Sequence, residues 1–156
     1  VGRFNESREM VDCNAVIHDV LVNLEEEFRL THANLFCETL PTILACRRQL
    51  VQLFQNLIGN AIRFTTGHAP EIHINAVTHE RNWLFSVSDT GVGISPEEHS
   101  GLFNLFHRDS SGGVSQESGV GLAICEKIVR WHGGKIWLES ELGKGSTFYF
   151  TIPLSE

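Results

Sequence analysis

The sequence predicts an α+β two-layer sandwich, in which about three helices cover one face of a mixed, mostly antiparallel five-stranded sheet. Three segments place apolar residues at helical spacing, and five short segments are typical of strands. The length of 156 residues suits a single domain with a substantial core.

The elements follow one another without an internal linker or repeat. The predicted helices cover residues 14–30, 47–64 and 119–131. The predicted strands cover residues 34–38, 71–78, 82–89, 135–140 and 146–152. Residues 1–13 are mostly polar, and we expect an irregular segment leading in from an upstream dimerisation domain, with the folded domain at residues 14–156.

Composition excludes several classes of function. A net charge of −7 argues against binding nucleic acid by phosphate neutralisation. No apolar run approaches the roughly 18 residues that cross a bilayer. The eight histidines lack metal-ligand spacing, and the cysteines are too scattered for a disulfide framework, so we expect reduced thiols in a cytoplasmic setting. The cysteines are Cys13, Cys37, Cys46 and Cys125.

The second predicted helix carries a polar stripe within the stretch QNLIGNAIRFT. Asn56 and Asn60 lie about 40° apart on a helical wheel, and Arg63 lies about 60° to the other side of Asn60. One interpretation is that these side chains simply face solvent. The other is a site for a metal-bound phosphate, because an amide oxygen suits magnesium and a guanidinium suits phosphate.

A carboxylate ends the third predicted strand, in the stretch SDTGVGI. Asp89 falls on the apolar face of its strand, so it needs backbone donors or a ligand carrying an amine. Gly91 and Gly93 follow at once, and let the backbone turn tightly and approach a ligand. An ordinary turn is the alternative interpretation.

The stretch SGVGLAI leads into the third helix, whose first N–H groups can bind an anion. An ordinary glycine-rich helix start is the alternative. SGVGLAI is not a dinucleotide-binding fingerprint, because no strand precedes it. GKGST is not a P-loop, because a strand rather than a helix follows it. No hydrolase elbow or His-Glu-x-x-His helix is present in the sequence.

The order of these motifs is more specific than any one of them. An Asn-x-x-x-Asn-Ala helix is followed by Asp-x-Gly-x-Gly, then LFNLFHR, Gly-x-Gly-Leu-Ala-Ile and GKGSTFYFTIP. This order resembles the catalytic, ATP-binding domain of sensor histidine kinases, which has the Bergerat fold. The resemblance covers residues 14–153, and the last motifs are most similar to kinases attached to phytochrome or PAS sensor modules.

The resemblance implies ATP and Mg²⁺ as cofactors. Asn60 would supply an oxygen to Mg²⁺, and Asn56 would line the same phosphate site. Arg63, where the family usually has Lys, would contact phosphate. Asp89 would accept from the adenine amino group.

The resemblance also assigns residues that surround the nucleotide. Gly91 and Gly93 would admit the adenine, and Thr147 would lie near it. Phe103 and Phe106 would anchor a mobile lid, and Arg108 would lie near the phosphates. The remaining implied residues, at the start of the third helix, are Gly119, Gly121 and Leu122.

Asn56 distinguishes a kinase from a hydrolase. ATP-hydrolysing relatives such as gyrase have Glu at this position to activate water, whereas a histidine nucleophile needs no activated water. The resemblance therefore implies a protein-histidine kinase in two-component signalling. An ATP-hydrolysing conformational clamp of the same fold and a degenerate interaction module are the alternatives.

The sequence departs from the family pattern at further positions. Glu117 stands where a lid glycine is usual, which predicts weaker nucleotide binding or an altered lid. His18 is followed by Asp19, but Asn23 replaces the expected Pro, so we interpret His18 as a surface histidine. The phosphoacceptor would then lie on a dimerisation domain outside this chain. The other implied partner is a response regulator, with no nucleic acid and no membrane contact.

Overall fold

The computed structural model of the chain describes residues 7–65, 67–91 and 116–154. The helices are α1 (Cys13–Asn23), α2 (Glu25–Thr31), α3 (Arg47–Arg63) and α4 (Gln116–Trp131). The strands are β1 (Glu9–Asp12), β2 (Asn34–Cys37), β3 (Thr42–Ala45), β4 (Glu71–His79), β5 (Asn82–Asp89), β6 (Ile136–Glu141) and β7 (Gly145–Pro153). Within the described ranges no helix is both long and apolar enough to cross a membrane.

The main sheet has five strands in the order β2-β4-β5-β7-β6. β2 runs parallel to β4, and the other neighbours are antiparallel. This confirms the predicted mixed, mostly antiparallel sheet. The register places Asp89, the last residue of β5, opposite Ile72 on β4 and Ser146 on β7.

The core lies between α3 and the apolar face of the sheet. Phe85 of β5 and Phe150 of β7 stack with ring centroids 4.8 Å apart. Phe54 of α3 packs edge-on against both rings, at 5.9 Å and 5.5 Å. All three side chains are fully buried, and aromatic pairs in these geometries add to the stabilisation from burial itself. This cluster fixes the height and rotation of α3 over the sheet.

The helix predicted at residues 14–30 is two helices, so that prediction was wrong in detail. The break falls at Leu24, whose φ of −105° and ψ of 18° are not helical. Three acidic residues in the first turn of α2 stabilise a new helix start, because that end of a helix carries a partial positive charge. The first helix begins at Cys13, where Asp12 accepts a hydrogen bond from the backbone N–H of Asn14 at 2.9 Å.

Residues 9–12 form a strand, contrary to the irregular segment that we expected. β1 pairs antiparallel with β3 in a separate two-stranded sheet. Val11 and Ile43 are register partners, and both are buried in the core. The sequence did not reveal this pairing because each strand has only four residues and its partner lies about 30 residues away in the chain. The assignment of residues 1–13 to an upstream domain stays a prediction.

α3 and α4 pack as an antiparallel pair. The thiol of Cys125 points at the Leu53 carbonyl, 3.9 Å away, and the Asn56 side-chain amide donates to the Gly121 carbonyl at 3.3 Å. At the other end of the pair, the backbone N–H before α3 donates to a histidine that follows α4. This bond runs from Cys46 N to His132 Nε2 at 3.1 Å.

His132 is buried and neutral in this arrangement. Its Nε2 accepts from Cys46 N–H, so its Nδ1 carries the proton and donates to the Ile128 carbonyl at 2.8 Å. Burial lowers the pKa of His132 below its ordinary value of 6.5; the nearby Arg8 charge adds to this, and the Ile128 carbonyl opposes it. A charged imidazole would also lose its bond from Cys46, since both nitrogens would then be donors.

We expect the domain to lose stability as the pH falls below about 6.5. In that range the unfolded chain binds a proton at His132 and the folded chain does not, so the free energy of unfolding decreases by up to about 1.4 kcal/mol per pH unit. Urea unfolding at pH 7.5 and 5.5 measures this. The decrease should shrink in His132→Gln and persist in His79→Gln, which changes an exposed histidine. Equal decreases in wild type and His132→Gln would contradict the assignment.

Candidate nucleotide-binding site

The polar stripe of α3 does not face solvent as a whole. Asn60 is only 1% exposed, Asn56 is half-buried, and Arg63 is exposed at the last turn of the helix. A helical-wheel projection of α3 places this polar stripe beside the apolar face that packs on the sheet. A buried amide needs hydrogen-bond partners, so the solvent-facing interpretation fails for Asn60.

Asn60 has one partner and one unsatisfied group. Its Oδ1 accepts from Arg63 Nη2. Its Nδ2 is buried without a hydrogen-bond partner among the described residues. An unpartnered buried donor is destabilising unless a ligand accepts from it. The arrangement therefore favours an anionic or oxygen-rich ligand at this point.

A cavity of about 360 Å³ opens along this edge of α3. It lies between α3, the α1–α2 junction and α4. Its described lining residues are Leu24, Glu27, Gln55, Asn56, Gly59, Asn60, Ile62, Arg63 and Gly121. The structure thus brings Asn56, Asn60, Arg63 and Gly121 together, as predicted from the sequence. Arg63 is the one basic side chain in that lining and Glu27 the one acidic side chain.

Asp89 is a buried carboxylate at the tip of β5, only 7% exposed. Its Oδ1 accepts from the backbone N–H groups of Gly91 at 2.7 Å and Ser146 at 3.2 Å. Burial raises the pKa of Asp89 above its ordinary value, and the two backbone N–H groups partly oppose this. Within the described residues no hydrogen bond reaches Oδ2, so one acceptor oxygen remains for a ligand.

Two glycines allow the chain to pack closely around Asp89. A Cβ on Gly91 would lie 2.6 Å from the carbonyl oxygen of Phe64, the residue that ends α3. A Cβ on Gly145, whose φ is +91°, would lie 2.1 Å from the Asp89 carbonyl oxygen. The turn after β5 therefore rests directly on the end of α3. Asp89 does not line the cavity described above, but it lies at the same end of α3 as Asn60 and Arg63.

Thr147 does not lie beside Asp89, which argues against its expected place near the adenine. It pairs with Ser88, and its hydroxyl bonds the Ser88 hydroxyl at 2.9 Å. Because side chains alternate along a strand, Thr147 faces the side of the sheet opposite to Asp89. Ser146 takes the position beside the carboxylate, and its hydroxyl bonds that of Ser140 at 2.7 Å. The register of β5 against β7 decides which of the two residues lies beside Asp89, and the sequence does not determine that register.

The start of α4 also differs from expectation. The helix begins at Gln116 rather than Gly119, so Gly121 lies in its second turn. Gly121 contributes its carbonyl, which accepts from Asn56. Leu122 is fully buried in the core and does not line the cavity.

Several predicted positions lie outside the described residues or away from the site. Gly93, Phe103, Phe106 and Arg108 fall within residues 92–115, outside the described ranges. Gly119 is helical, in the first turns of α4. His18 is exposed on α1 and is not among the described residues that line the cavity. All four cysteines are free thiols.

Two features of the site were not predicted. Glu27 and Leu24 contribute to the cavity from the break between α1 and α2, which the single predicted helix did not contain. The backbone of Ser146 supports Asp89 through the β5–β7 register. The acidic run at residues 25–27 was a visible signal for a helix start, but nothing in the sequence placed it next to Asn60.

Comparison with known families identifies the family and the fold. Residues 45–156 match the family described as Histidine kinase-, DNA gyrase B-, and HSP90-like ATPase. The chain belongs to this family. A domain of the family binds ATP, and the two-layer fold predicted from the sequence is the fold of its histidine kinase members.

Individual relatives of this ATPase domain are histidine kinases and phytochromes. Cyanobacterial phytochrome A of Nostoc sp. (strain PCC 7120) is 46% identical over 146 residues, which cover 94% of this chain and 19% of that protein. The catalytic domain of histidine kinase ThkA, in a nucleotide-free form, is 31% identical with a TM-score of 0.77, covering 94% of this chain and 95% of that one. Full-length ShkA in complex with AMPPNP is 28% identical with a TM-score of 0.80, and the match covers 97% of this chain and 32% of that one.

These relatives confirm the resemblance to histidine kinase catalytic domains and to phytochrome-linked members. The chain spans about a fifth of the length of the phytochromes that it matches.

We expect Asp89→Asn to separate stability from binding. Because burial raises the pKa of Asp89, ionisation of this carboxyl destabilises the folded state. The contribution of Asp89 to stability is fully present below its ordinary pKa and is lost as the pH rises through the raised value. The neutral amide keeps an oxygen for the two N–H groups, so the free energy of unfolding at pH 7 should equal or exceed that of wild type. ATP affinity should fall by about tenfold or more, because a ligand acceptor becomes a donor.

Thr147→Val is the matched control for Asp89→Asn. It changes a hydroxyl on the other face of the same strand pair, and ATP affinity measured by calorimetry should remain within about twofold of wild type. Loss of affinity in Thr147→Val, or full affinity in Asp89→Asn, would contradict the geometry of the site.

Proposed function

We propose that this domain binds ATP with Mg²⁺ and supplies the γ-phosphoryl group to a histidine on a separate dimerisation domain. The observation that carries the proposal is the placement of two buried polar groups at one end of α3. Among the residues that the structure describes, the Asp89 carboxylate has an oxygen with no hydrogen-bond partner, and the Asn60 amide has an unpartnered N–H. An adenine amine and a phosphate oxygen are the complementary groups.

Asp89 selects the base in this proposal. Its Oδ2 accepts from the exocyclic amine of adenine, while the Gly91 N–H holds Oδ1. Guanine presents a carbonyl at the equivalent position, so two acceptors would face each other. A buried polar site rejects a ligand that leaves its groups unpaired. ATP should therefore bind more tightly than GTP.

The cavity along α3 holds the phosphates. Arg63 is exposed at the end of the helix, and its guanidinium matches the geometry of phosphate oxygens. Asn60 fits the role of a magnesium ligand, because an amide oxygen is a hard donor. Its Oδ1 is now bonded to Arg63, so Arg63 releases that oxygen when it turns to the phosphate. Mg²⁺, when bound, neutralises charge that develops on the transferring group.

Asn56 keeps the site from acting as a hydrolase. Its Nδ2 is held by the Gly121 carbonyl, and an amide cannot take a proton from water as a carboxylate does. In the transfer, the bond between the γ-phosphorus and the bridging oxygen breaks, and a bond from the histidine nitrogen to that phosphorus forms. ADP leaves with the electron pair, and the imidazole proton passes to solvent.

The similarity to histidine kinase catalytic domains supports further roles. Gly93 borders the adenine, Phe103 and Phe106 anchor a lid, and Arg108 and Gly119 approach the phosphates. The chain is the catalytic part of a longer cytoplasmic sensor kinase whose sensor is related to phytochromes, and a response regulator receives the phosphoryl group.

One observation favours the hydrolytic alternative. Glu27 is a carboxylate in the lining of the phosphate cavity, and a carboxylate near the γ-phosphate can activate water. Incubating the domain with ATP and Mg²⁺, with and without a supplied histidine-containing dimerisation domain, separates the two functions. A kinase forms phosphohistidine with little steady-state release of phosphate. Sustained phosphate release that Glu27→Gln abolishes would support the hydrolase instead.

We expect Arg63→Ala to weaken ATP binding by about tenfold, since a hydrogen bond to a charged group contributes about 1.5–3 kcal/mol. The effect should be smaller than that of Asp89→Asn. Titration of a labelled ATP analogue with and without Mg²⁺ measures both. Arg81→Ala removes an exposed arginine from the β4–β5 turn and should leave affinity unchanged. Unchanged affinity in both Arg63→Ala and Asp89→Asn would show that the site is misplaced.

A further inference from the structure

The end of α4 that lies away from the cavity is tied to the chain segment that precedes β1. We propose that Arg8, Trp131 and His132 form a coupling point through which this segment sets the position of α4 at the nucleotide cavity. The inference rests on the proposed function, because it concerns how nucleotide affinity is adjusted. These three residues are positioning residues and do not contact the nucleotide.

Arg8 makes two contacts with the last residue of α4. Its Nη2 donates to the Trp131 carbonyl at 2.5 Å, and its guanidinium carbon lies 4.6 Å from the centroid of the Trp131 ring. The final carbonyls of a helix lack partners within the helix and carry partial negative charge. A guanidinium is therefore well suited to hold this end of α4, by charge and by stacking on the ring.

His132 ties the same point to α3. It joins the backbone N–H of Cys46, which starts α3, to the carbonyl of Ile128 in the last turn of α4. The Trp131 ring meets the His132 ring edge-on, with centroids 4.9 Å apart. Arg8, Trp131 and His132 thus connect three elements: the segment before β1, the end of α4 and the start of α3.

The two helices transmit a displacement from this point to the cavity. They are antiparallel, and their second polar contact, from Asn56 to Gly121, lies in the cavity lining. The 10 residues between Cys46 and Asn56 correspond to about 15 Å of helix. A packed helix moves as a rigid body rather than by bending, so a shift of α4 relative to α3 at Trp131 also alters the contact between Gly121 and Asn56.

Movement of the chain segment before β1 would act on α4 through Arg8. It lies one residue before β1, and β1 is held to the core through β3. Movement of the preceding segment can withdraw Arg8 without unfolding β1. Loss of its contacts frees the end of α4, and nucleotide affinity falls.

Arg8→Met tests the coupling in the 156-residue chain. We expect the ATP dissociation constant to rise about threefold or more, a change typical of residues that modulate coupling without touching the ligand. Arg8→Lys keeps the charge and one donor but loses the planar group, so its affinity should lie between those of Arg8→Met and wild type. Arg130→Met is the matched control: Arg130 is exposed at the same end of α4, and its ion pair is with Glu126 on that helix.

A second measurement distinguishes coupling from general destabilisation. Binding couplings are reciprocal, so ATP should slow hydrogen exchange at the Cys46 amide in wild type, and the slowing should be lost in Arg8→Met. If wild type binds ATP and Arg8→Met binds equally well, or shows only a lower melting temperature, the coupling is wrong. If wild type binds no ATP, the proposed function itself fails. Reduced affinity in Arg130→Met as large as in Arg8→Met would also overturn the inference.

Discussion

The burial of the Asp89 carboxylate is the constraint on which this end of the molecule depends. A charged group at the tip of a central strand is unfavourable unless donors surround it. Two backbone N–H groups supply that support, one from the turn after β5 and one from β7. Both donors reach Oδ1, and no other described part of the chain donates to Oδ2. The same geometry that makes the carboxylate tolerable in the core also makes it a selective acceptor for a ligand.

The close packing around Asp89 explains why the two halves of the site lie at one end of α3. Gly91 allows the turn after β5 to rest on the Phe64 carbonyl, where a methyl group would not fit. The Asp89 carboxylate therefore stays close to the last turn of α3, which carries Asn60 and Arg63. This backbone contact holds the two parts of the proposed site next to each other, as a ligand with a purine linked to a triphosphate requires.

Helix α3 serves both the core and the site. Its apolar face, centred on Phe54, is fixed by aromatic contacts with β5 and β7. Its polar edge cannot rotate away from the core, so Asn60 remains buried with a donor that no residue in the described ranges pairs. The free energy of core packing thus holds polar groups in an arrangement that is unfavourable without a ligand. That arrangement is typical of binding sites, where groups are oriented before the ligand arrives.

The sequence by itself determined the class of fold, the main strands and the elements that carry the candidate site residues. Period-two and helical patterns report which face of an element is buried, and the order of motifs was specific enough to indicate the family. These signals are local, and they placed Asn56, Asn60, Arg63 and Asp89 on the right elements.

Tertiary structure alone decided how those elements meet. The register of β5 against β7 put Ser146 rather than Thr147 beside Asp89, because a shift of one residue exchanges the two faces of a strand. The break at Leu24 brought Glu27 to the cavity, and the pairing of β1 with β3 placed Arg8 within reach of Trp131. Each of these contacts joins residues distant in the chain, and their spacing along the sequence carries no record of their distance in space.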